Sequence, residues 1–371
     1  MRITFVLPIA SLDGGIRVVA TYARVLHERG HELTVVSQPV KAEPGWKSTI
    51  KAILGRPRKP EVRATPLLDF LGPRHRILER RRPVTAGDVP DADVVVATWW
   101  QTAEWVAELP AVKGRKFYLL QGYEVFPHLP VERVVATYQL PLRKIAVSNY
   151  IRHAIATHHG ATDIEVVSNA VDLEQFDAPQ RRRNADFTVG FLYTTKKVKN
   201  IVLAIEAIRL ARERLPGLRA LAFGAIPPAA ELPLPAWVGY RQAPPQEEIP
   251  RIYASCDAWL FTSEKEGFGL PILEAMACRT PVLATRAGAA PDLIDGSNGA
   301  LLPASAPAFA DEILRFAGMP AETWQELSEG ARRTATAHSW EASTERLLAI
   351  LSRREPGSDG VMEPEGTCSS R

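Results

Sequence analysis

The residues with the clearest chemical use lie in the stretch Ser263-Glu264-Lys265-Glu266-Gly267-Phe268-Gly269-Leu270-Pro271-Ile272-Leu273-Glu274. Gly267 and Gly269 let a backbone come close to a ligand, and Pro271 suits the first turn of a helix. The amides from Phe268 to Ile272 would then face an anion, with the helix dipole favouring phosphate. Glu266 and Glu274 stand eight residues apart, one before the turn and one inside the helix. They therefore reach different parts of one long ligand, and carboxylates are good acceptors for paired sugar or ribose hydroxyls. A plain strand–helix turn with a capping glutamate fits the same glycines and proline.

Such a turn needs a sheet behind it. Ile3–Leu7 reads as a short buried strand, followed by a turn at Asp13, Gly14 and Gly15. Val18, Val19, Tyr22, Ala23, Val25 and Leu26 then recur at helical spacing up to Gly30. Leu33–Val36, Asp93–Thr98, Lys116–Leu120, Lys144–Val147 and Glu165–Val167 continue as strands. Short apolar strands alternating with helices imply parallel pairing with right-handed crossovers. A second unit of the same kind follows the basic stretch Arg181–Arg183. Its strands are Phe187–Phe191, Leu218–Phe223, Ala236–Tyr240, Ala258–Phe261 and Pro281–Thr285. Its helices are Ile201–Arg214, one near Gln246–Ala254 and one near Pro271–Ala277, with a final helix at Trp340–Leu351. The chain thus divides into a first α/β domain over 1–178, a second over 184–338, a last helix over 340–352 and a disordered tail over 354–371. Two doubly wound domains face each other across a cleft, and ligands bind beyond the carboxyl ends of parallel strands.

Length and composition agree. A chain of 371 residues supports two ordinary domains. With 45 basic and 42 acidic residues the net charge is +3, too weak to argue for nucleic acid. Cys256, Cys278 and Cys368 form neither a disulfide framework nor a zinc motif, which favours a reducing cytoplasm. No apolar run reaches the ~20 residues that span a bilayer. His128, His153, His158 and His159 fit no metal spacing. Residues 41–83 hold 12 Lys/Arg against 4 acids, a local charge of +8. There Trp46, Ile50, Ile53 and Leu54 share one helical face with Lys47 and Lys51 interleaved, a pattern suited to an anionic membrane surface and equally to a solvated insertion.

The run from Glu266 to Glu274, with Gly-Phe-Gly-Leu-Pro between, resembles the E-x(7)-E signature of retaining glycosyltransferases of family 4, which have the GT-B fold of two Rossmann-like domains. Other segments are similar in the same order: Gly14-Gly15, Val147-Ser148-Asn149, Ser168-Asn169-Ala170-Val171-Asp172 through Phe176, Pro281–Thr285 followed by Gly288 through Gly296, and Trp340–Leu351, which resembles the family's terminal helix and so implies that 340–352 crosses back to the first domain. The resemblance implies a metal-independent enzyme without a cofactor. It moves a hexose or deoxyhexose from an NDP-sugar to a glycan, a lipid-linked glycan or another hydroxyl, with retention, in polysaccharide or glycoconjugate assembly. It implies that Glu266 bonds donor-sugar hydroxyls and that Glu274 holds the ribose. The amides of Phe268, Gly269 and Leu270 would contact sugar and diphosphate, and Gly14 and Gly15 would let the first domain approach the diphosphate.

By the same resemblance, Lys199 stands where the family has the lysine that stabilises the leaving diphosphate. Thr194 stands where it has an arginine, so Lys196 or Lys197 is expected to supply the second cation. Arg279 replaces a usual glycine. Gln121 and Glu124, in Gln-Gly-Tyr-Glu, are candidate contacts to sugar or acceptor, and Trp99 with Trp100 a candidate acceptor wall; core packing explains Glu124 and the tryptophans equally well. Two other readings share the fold: a catalytically weak NDP-sugar-binding subunit of a glycan-assembly complex, and a sugar-nucleotide epimerase. A nicotinamide dehydrogenase is disfavoured, because Gly14-Gly15 lacks the G-x-G-x-x-G spacing. The expected location is cytoplasmic, peripheral to the inner face of the membrane.

Overall fold

The computed structural model describes residues 1–10, 14–39 and 65–353. Asp13, the basic helix expected around Trp46–Leu54 and the tail over 354–371 lie outside them.

The first sheet has seven parallel strands: β1 (Arg2–Leu7), β2 (Glu32–Ser37), β3 (His75–Ile77), β4 (Val94–Ala97), β5 (Arg115–Leu120), β6 (Arg143–Ala146) and β7 (Ile164–Val166), in the order β3-β2-β1-β4-β5-β6-β7. The second has six parallel strands: β8 (Thr188–Leu192), β9 (Arg219–Gly224), β10 (Val238–Gln242), β11 (Ala258–Phe261), β12 (Val282–Ala284) and β13 (Gly299–Leu301), in the order β10-β9-β8-β11-β12-β13. Every residue of β4 and β11 is buried, as expected where helices cover both faces of a parallel sheet. In each sheet the chain winds outward one way, then crosses the first strand to wind the other way. The reversals fall between β1 and β4 and between β8 and β11. Loops beyond the carboxyl ends there form a ligand crevice by topology alone.

Three features depart from the sequence expectation. Gly14 and Gly15 are not a turn; they open the helix Gly14–Glu28. A Cβ on Gly15 would sit 3.3 Å from the Gln121 side-chain amide, so this helix start is pressed against a neighbouring loop. The strands β3 and β13 were not anticipated, because neither His75-Arg76-Ile77 nor Gly299-Ala300-Leu301 is a run of β-branched or aromatic residues. The basic stretch Arg181–Arg183 is more than a boundary. Arg181 bonds the buried carboxylate of Asp257 at 3.1 Å, with its guanidinium 4.8 Å from the Trp324 ring. Arg183 caps the helix Ala306–Gly318 by donating to the carbonyls of Ala317 at 2.6 Å and Met319 at 3.0 Å.

The last helix, Trp340–Ser352, packs on the helix Gly14–Glu28 of the first domain. The rings of Tyr22 and Trp340 meet edge to face at 5.2 Å. Ser343 donates its hydroxyl hydrogen to the Ser168 carbonyl at 2.5 Å, so Tyr22 is the donor in their 2.7 Å contact. Among the described residues no helix is long and apolar enough to cross a membrane.

Candidate functional site

Four loops meet in the crevice, each following the carboxyl end of a strand. The helix Gly14–Glu28 follows β1, and Gln121 follows β5. Lys199 follows β8, and the Glu266 turn follows β11. The domains approach closely at glycine: a Cβ on Gly267 would lie 1.8 Å from the Gln121 carbonyl oxygen. Only glycine allows that contact. Ser148 caps the helix Asn149–His159 and donates across the seam to the Gly267 carbonyl at 2.6 Å. Beside it, Asn149 donates from its side chain to Asp292 at 3.1 Å.

The Glu266 turn is held by its surroundings. Lys199 ends a short 3-10 turn, Lys197–Lys199, before Asn200 enters the left-handed region at φ 46°. Asn200 donates to Glu264 at 3.0 Å, and Thr262 donates to the Lys199 carbonyl at 3.1 Å. These bonds set the Lys199 ammonium against the Glu266 carboxylate in a largely enclosed ion pair, where Ser263 also donates to Glu266 at 2.8 Å. Gly288, at φ 58°, passes so close that a Cβ would sit 2.8 Å from that of Glu266.

Gly269 precedes the helix Leu270–Ala277 with φ 99°, a left-handed conformation that glycine adopts freely. The expected row of free amides is shorter than the sequence suggested. Pro271 has no N–H, and Ile272 donates back to the Gly269 carbonyl at 3.0 Å. The amides of Phe268, Gly269 and Leu270 bond no acceptor among the described residues. They are the donors left without a partner at this helix start, the kind of group that suits an anion.

Glu274 lies one turn further along and lines a cavity of about 430 Å³ together with Gly14, Arg17, Gln246, Tyr253 and Leu270. That volume is in the range of small-molecule sites. Tyr253 donates to Glu274 at 2.7 Å. Burial raises the Glu274 carboxyl above its ordinary range, opposed by the Tyr253 hydrogen bond and the positive field of Arg17.

The other predicted positions divide. Gln121 lies on the cleft floor between Gly15 and Gly267, with its Oε1 buried and unpartnered. Lys196 and Lys197 are exposed. Trp99 packs partly buried against the core. Glu124 and Trp100 are corrections to the acceptor reading, since they are only 1% and 3% exposed. Glu124 accepts from the Trp100 amide at 2.9 Å and the Tyr118 hydroxyl at 3.2 Å, while the Tyr138 hydroxyl accepts from the Glu124 amide at 3.2 Å. Burial in this aromatic shell pushes its carboxyl up to about 8. Glu124 therefore anchors the start of the helix Trp100–Glu108 rather than touching a ligand. Arg279 occupies the left-handed region at φ 61°, as the usual glycine would. It is held there by bonds to the Ala178 carbonyl at 2.9 Å and to Glu329 at 2.6 Å. Of the histidines, His158 and His159 pack against Tyr123, and among the described residues no cluster of three or more His, Cys, Asp or Glu could hold a metal ion.

Sequence reasoning missed Arg17, Ser148 and Tyr253 as site residues. Ser148-Asn149 ahead of an apolar periodic run was a helix-cap signal. Arg17 could have been noticed as the first cation after the glycine pair. Tyr253 carries no local signal.

Residues 186–318 match the family described as "Glycosyl transferases group 1". Among curated relatives, the D-inositol 3-phosphate glycosyltransferase of Saccharomonospora viridis is 40% identical over 114 residues, covering 30% of this chain and 26% of that protein. The enzyme of the same name from Mycolicibacterium paratuberculosis is 30% identical over 223 residues, covering 54% of this chain and 50% of that one. The chain thus spans about a quarter to a half of the length of these relatives. Among solved structures, sucrose-phosphate synthase from Thermosynechococcus elongatus superposes with TM-score 0.70 at 15% identity, over 94% of this chain and 98% of that one. Anabaena Alr3699/HepE in complex with UDP-glucose gives 0.67 at 19% identity, over 94% and 98%. The whole chain has the GT-B fold, and residues 186–318, which hold Lys199, Glu266 and Glu274, are the part that resembles the glycosyl transferases group 1 family.

Proposed function

We propose that this chain is a glycosyltransferase that moves a hexose or deoxyhexose from a nucleoside-diphosphate sugar to a hydroxyl on a glycan or lipid-linked acceptor, with retention and without a metal ion or cofactor. The observation that carries the reading is the inter-domain cavity of about 430 Å³, where Glu274, Arg17 and the start of the helix Leu270–Ala277 meet. Glu274 suits a ribose diol, and the amides of Phe268, Gly269 and Leu270 suit a diphosphate. Glu266 and Lys199 adjoin them as a carboxylate for the sugar hydroxyls and a cation for the leaving group. The buried, unpartnered Oε1 of Gln121 supports its assignment as a contact to the transferred sugar or the acceptor. The work done by the protein is positioning and stabilising charge on the leaving diphosphate. The Saccharomonospora and Mycolicibacterium relatives are named as glycosyltransferases, and the Anabaena neighbour holds UDP-glucose, which supports this class of donor.

Incubation of the full chain with UDP-, GDP- and dTDP-sugars is expected to give slow, donor-selective hydrolysis. Glu266→Ala should abolish it at unchanged melting temperature. Hydrolysis that survives in that variant removes Glu266 from its role. One observation favours the binding-subunit reading, namely the engagement of Lys199 with Glu266. A thermal shift with nucleotide-sugar but no turnover with any acceptor would establish it.

We also propose peripheral attachment to an anionic membrane from the cytoplasmic side. Support comes from the charge of residues 41–83 and from Leu67, Phe70 and Ile77, which are 37%, 39% and 49% exposed near the exposed Arg74 and Arg76. Co-sedimentation with vesicles of phosphatidylglycerol at low salt, lost at high salt, is the expected result. No binding at low salt ends this proposal.

A further inference from the structure

The leaving group in the proposed reaction is a diphosphate, and its charge needs cations that reach the cavity. The described residues offer few. Lys199 is already paired with Glu266 and lies in a small adjoining recess that shares Leu192 and Pro271 with the cavity. Lys196 and Lys197 face solvent. Among the described residues that line the cavity, Arg17 is the one cation and Glu274 the one carboxylate.

Arg17 belongs to the first domain, in the first turn of the helix Gly14–Glu28. Its guanidinium crosses the cleft and donates to the Gln246 side-chain oxygen at 2.6 Å, joining residues 229 apart in sequence. Gln246 is a neutral acceptor that also receives the Gln175 amide at 3.4 Å. A guanidinium bonded to a neutral amide, beside a cavity of nucleotide size, gains on meeting an anion, because charge-assisted bonds are about twice as strong as neutral ones. The planar fork of arginine also matches phosphate oxygens in a way that lysine does not. Leu270 and Pro271, at the start of the helix Leu270–Ala277, line the same space from the second domain.

We propose that Arg17 is an inter-domain clamp on the donor, exchanging the Gln246 amide for the diphosphate of a bound nucleotide and thereby fixing the first domain against the second. This deepens the donor reading above and rests on it. Arg17 is a binding and positioning residue; no bond is made or broken by it.

Calorimetric titration of the full chain with UDP, GDP and dTDP, and with the matching nucleosides, tests the clamp. If the unaltered chain binds none of the diphosphates, the donor reading itself falls, and the clamp with it. If one binds, Arg17→Met is expected to weaken that diphosphate by about 10- to 100-fold while leaving the nucleoside unchanged. Arg17→Lys, which keeps the charge but not the fork, should fall between, and it serves if Arg17→Met fails to fold. Undiminished diphosphate affinity in Arg17→Met overturns the clamp while the donor reading stands. So does an equal loss of diphosphate and nucleoside, or a larger loss in the double variant Lys196→Ala, Lys197→Ala than in Arg17→Met.

Discussion

The loop after β5 and the loop after β11 look alike in sequence and behave differently in space. One reads Gln121-Gly122-Tyr123-Glu124, the other Glu266-Gly267-Phe268-Gly269. Each follows a buried strand, holds glycine and carries a carboxylate. In the β5 loop the carboxylate turns inward. Glu124 is enclosed by Trp100, Tyr118 and Tyr138, and its proton is held up to about pH 8 by desolvation. In the β11 loop Glu266 stays beside the crevice, because Lys199 and Ser263 supply compensating bonds. The lesson is that the partner set decides what a carboxylate does: an aromatic hydroxyl and an amide inside a closed shell make an anchor, whereas an ammonium and a hydroxyl beside a crevice leave the carboxylate where the proposed donor would meet it.

The largest effect is expected where the two loops touch. Gly267→Ala places a Cβ 1.8 Å from the Gln121 carbonyl and must push the loops apart. A displacement near 1 Å at a reacting centre costs on the order of 100-fold in rate. Turnover should fall by about that factor, with overpacking costing about 1–3 kcal/mol in denaturant unfolding. Unchanged turnover would mean that the two loops separate freely and that their contact positions nothing.

A smaller effect sharpens the contrast between the carboxylates. The folded-state pKa of Glu124 lies above its ordinary value of 4.5, at about 8. The folded state therefore binds this proton more tightly than the unfolded chain does. The resulting stabilisation is complete below about pH 4.5 and is lost as pH rises towards 8. Glu124→Gln cannot ionise, so its melting temperature should fall less than that of the unaltered chain between pH 5 and pH 8. Parallel melting curves across that window would show that Glu124 is not desolvated as described.

The smallest effect concerns the end of the helix that carries Glu274. Arg279 sits at φ 61°, where a side chain costs roughly 1–2 kcal/mol. Its bonds to Ala178 and Glu329 offset that strain. Arg279→Gly loses the bonds and the strain together, whereas Arg279→Ala loses the bonds alone. The alanine variant should be less stable than the glycine variant by about 1 kcal/mol. Equal stabilities would mean that the strain is absent.

Much of this was legible in the residues. The buried strands β4 and β11 are short apolar runs, and the helix Ile201–Arg214 has the expected bounds, because period and stop signals are local. The glycine and proline positions from Gly267 to Pro271 announced a helix start. The edge strands β3 and β13 were not legible, and neither were the fates of Glu124 and Trp100. A carboxylate next to a tyrosine in sequence carries no sign of whether aromatic rings from β5 and the helix Trp100–Glu108 will close over it.

By itself the sequence determined the alternation of strand and helix, the two doubly wound units and the spacing that sets Glu266 before a helix and Glu274 within it. All of these rest on interactions between residues a few positions apart. Only the tertiary structure decided that Arg17 meets Gln246 across 229 residues, that Gly267 lies against Gln121, and that Lys199 neutralises Glu266. Those pairings depend on how two separately wound sheets dock, and docking is set by close packing over the whole interface, to which no short stretch of sequence gives access.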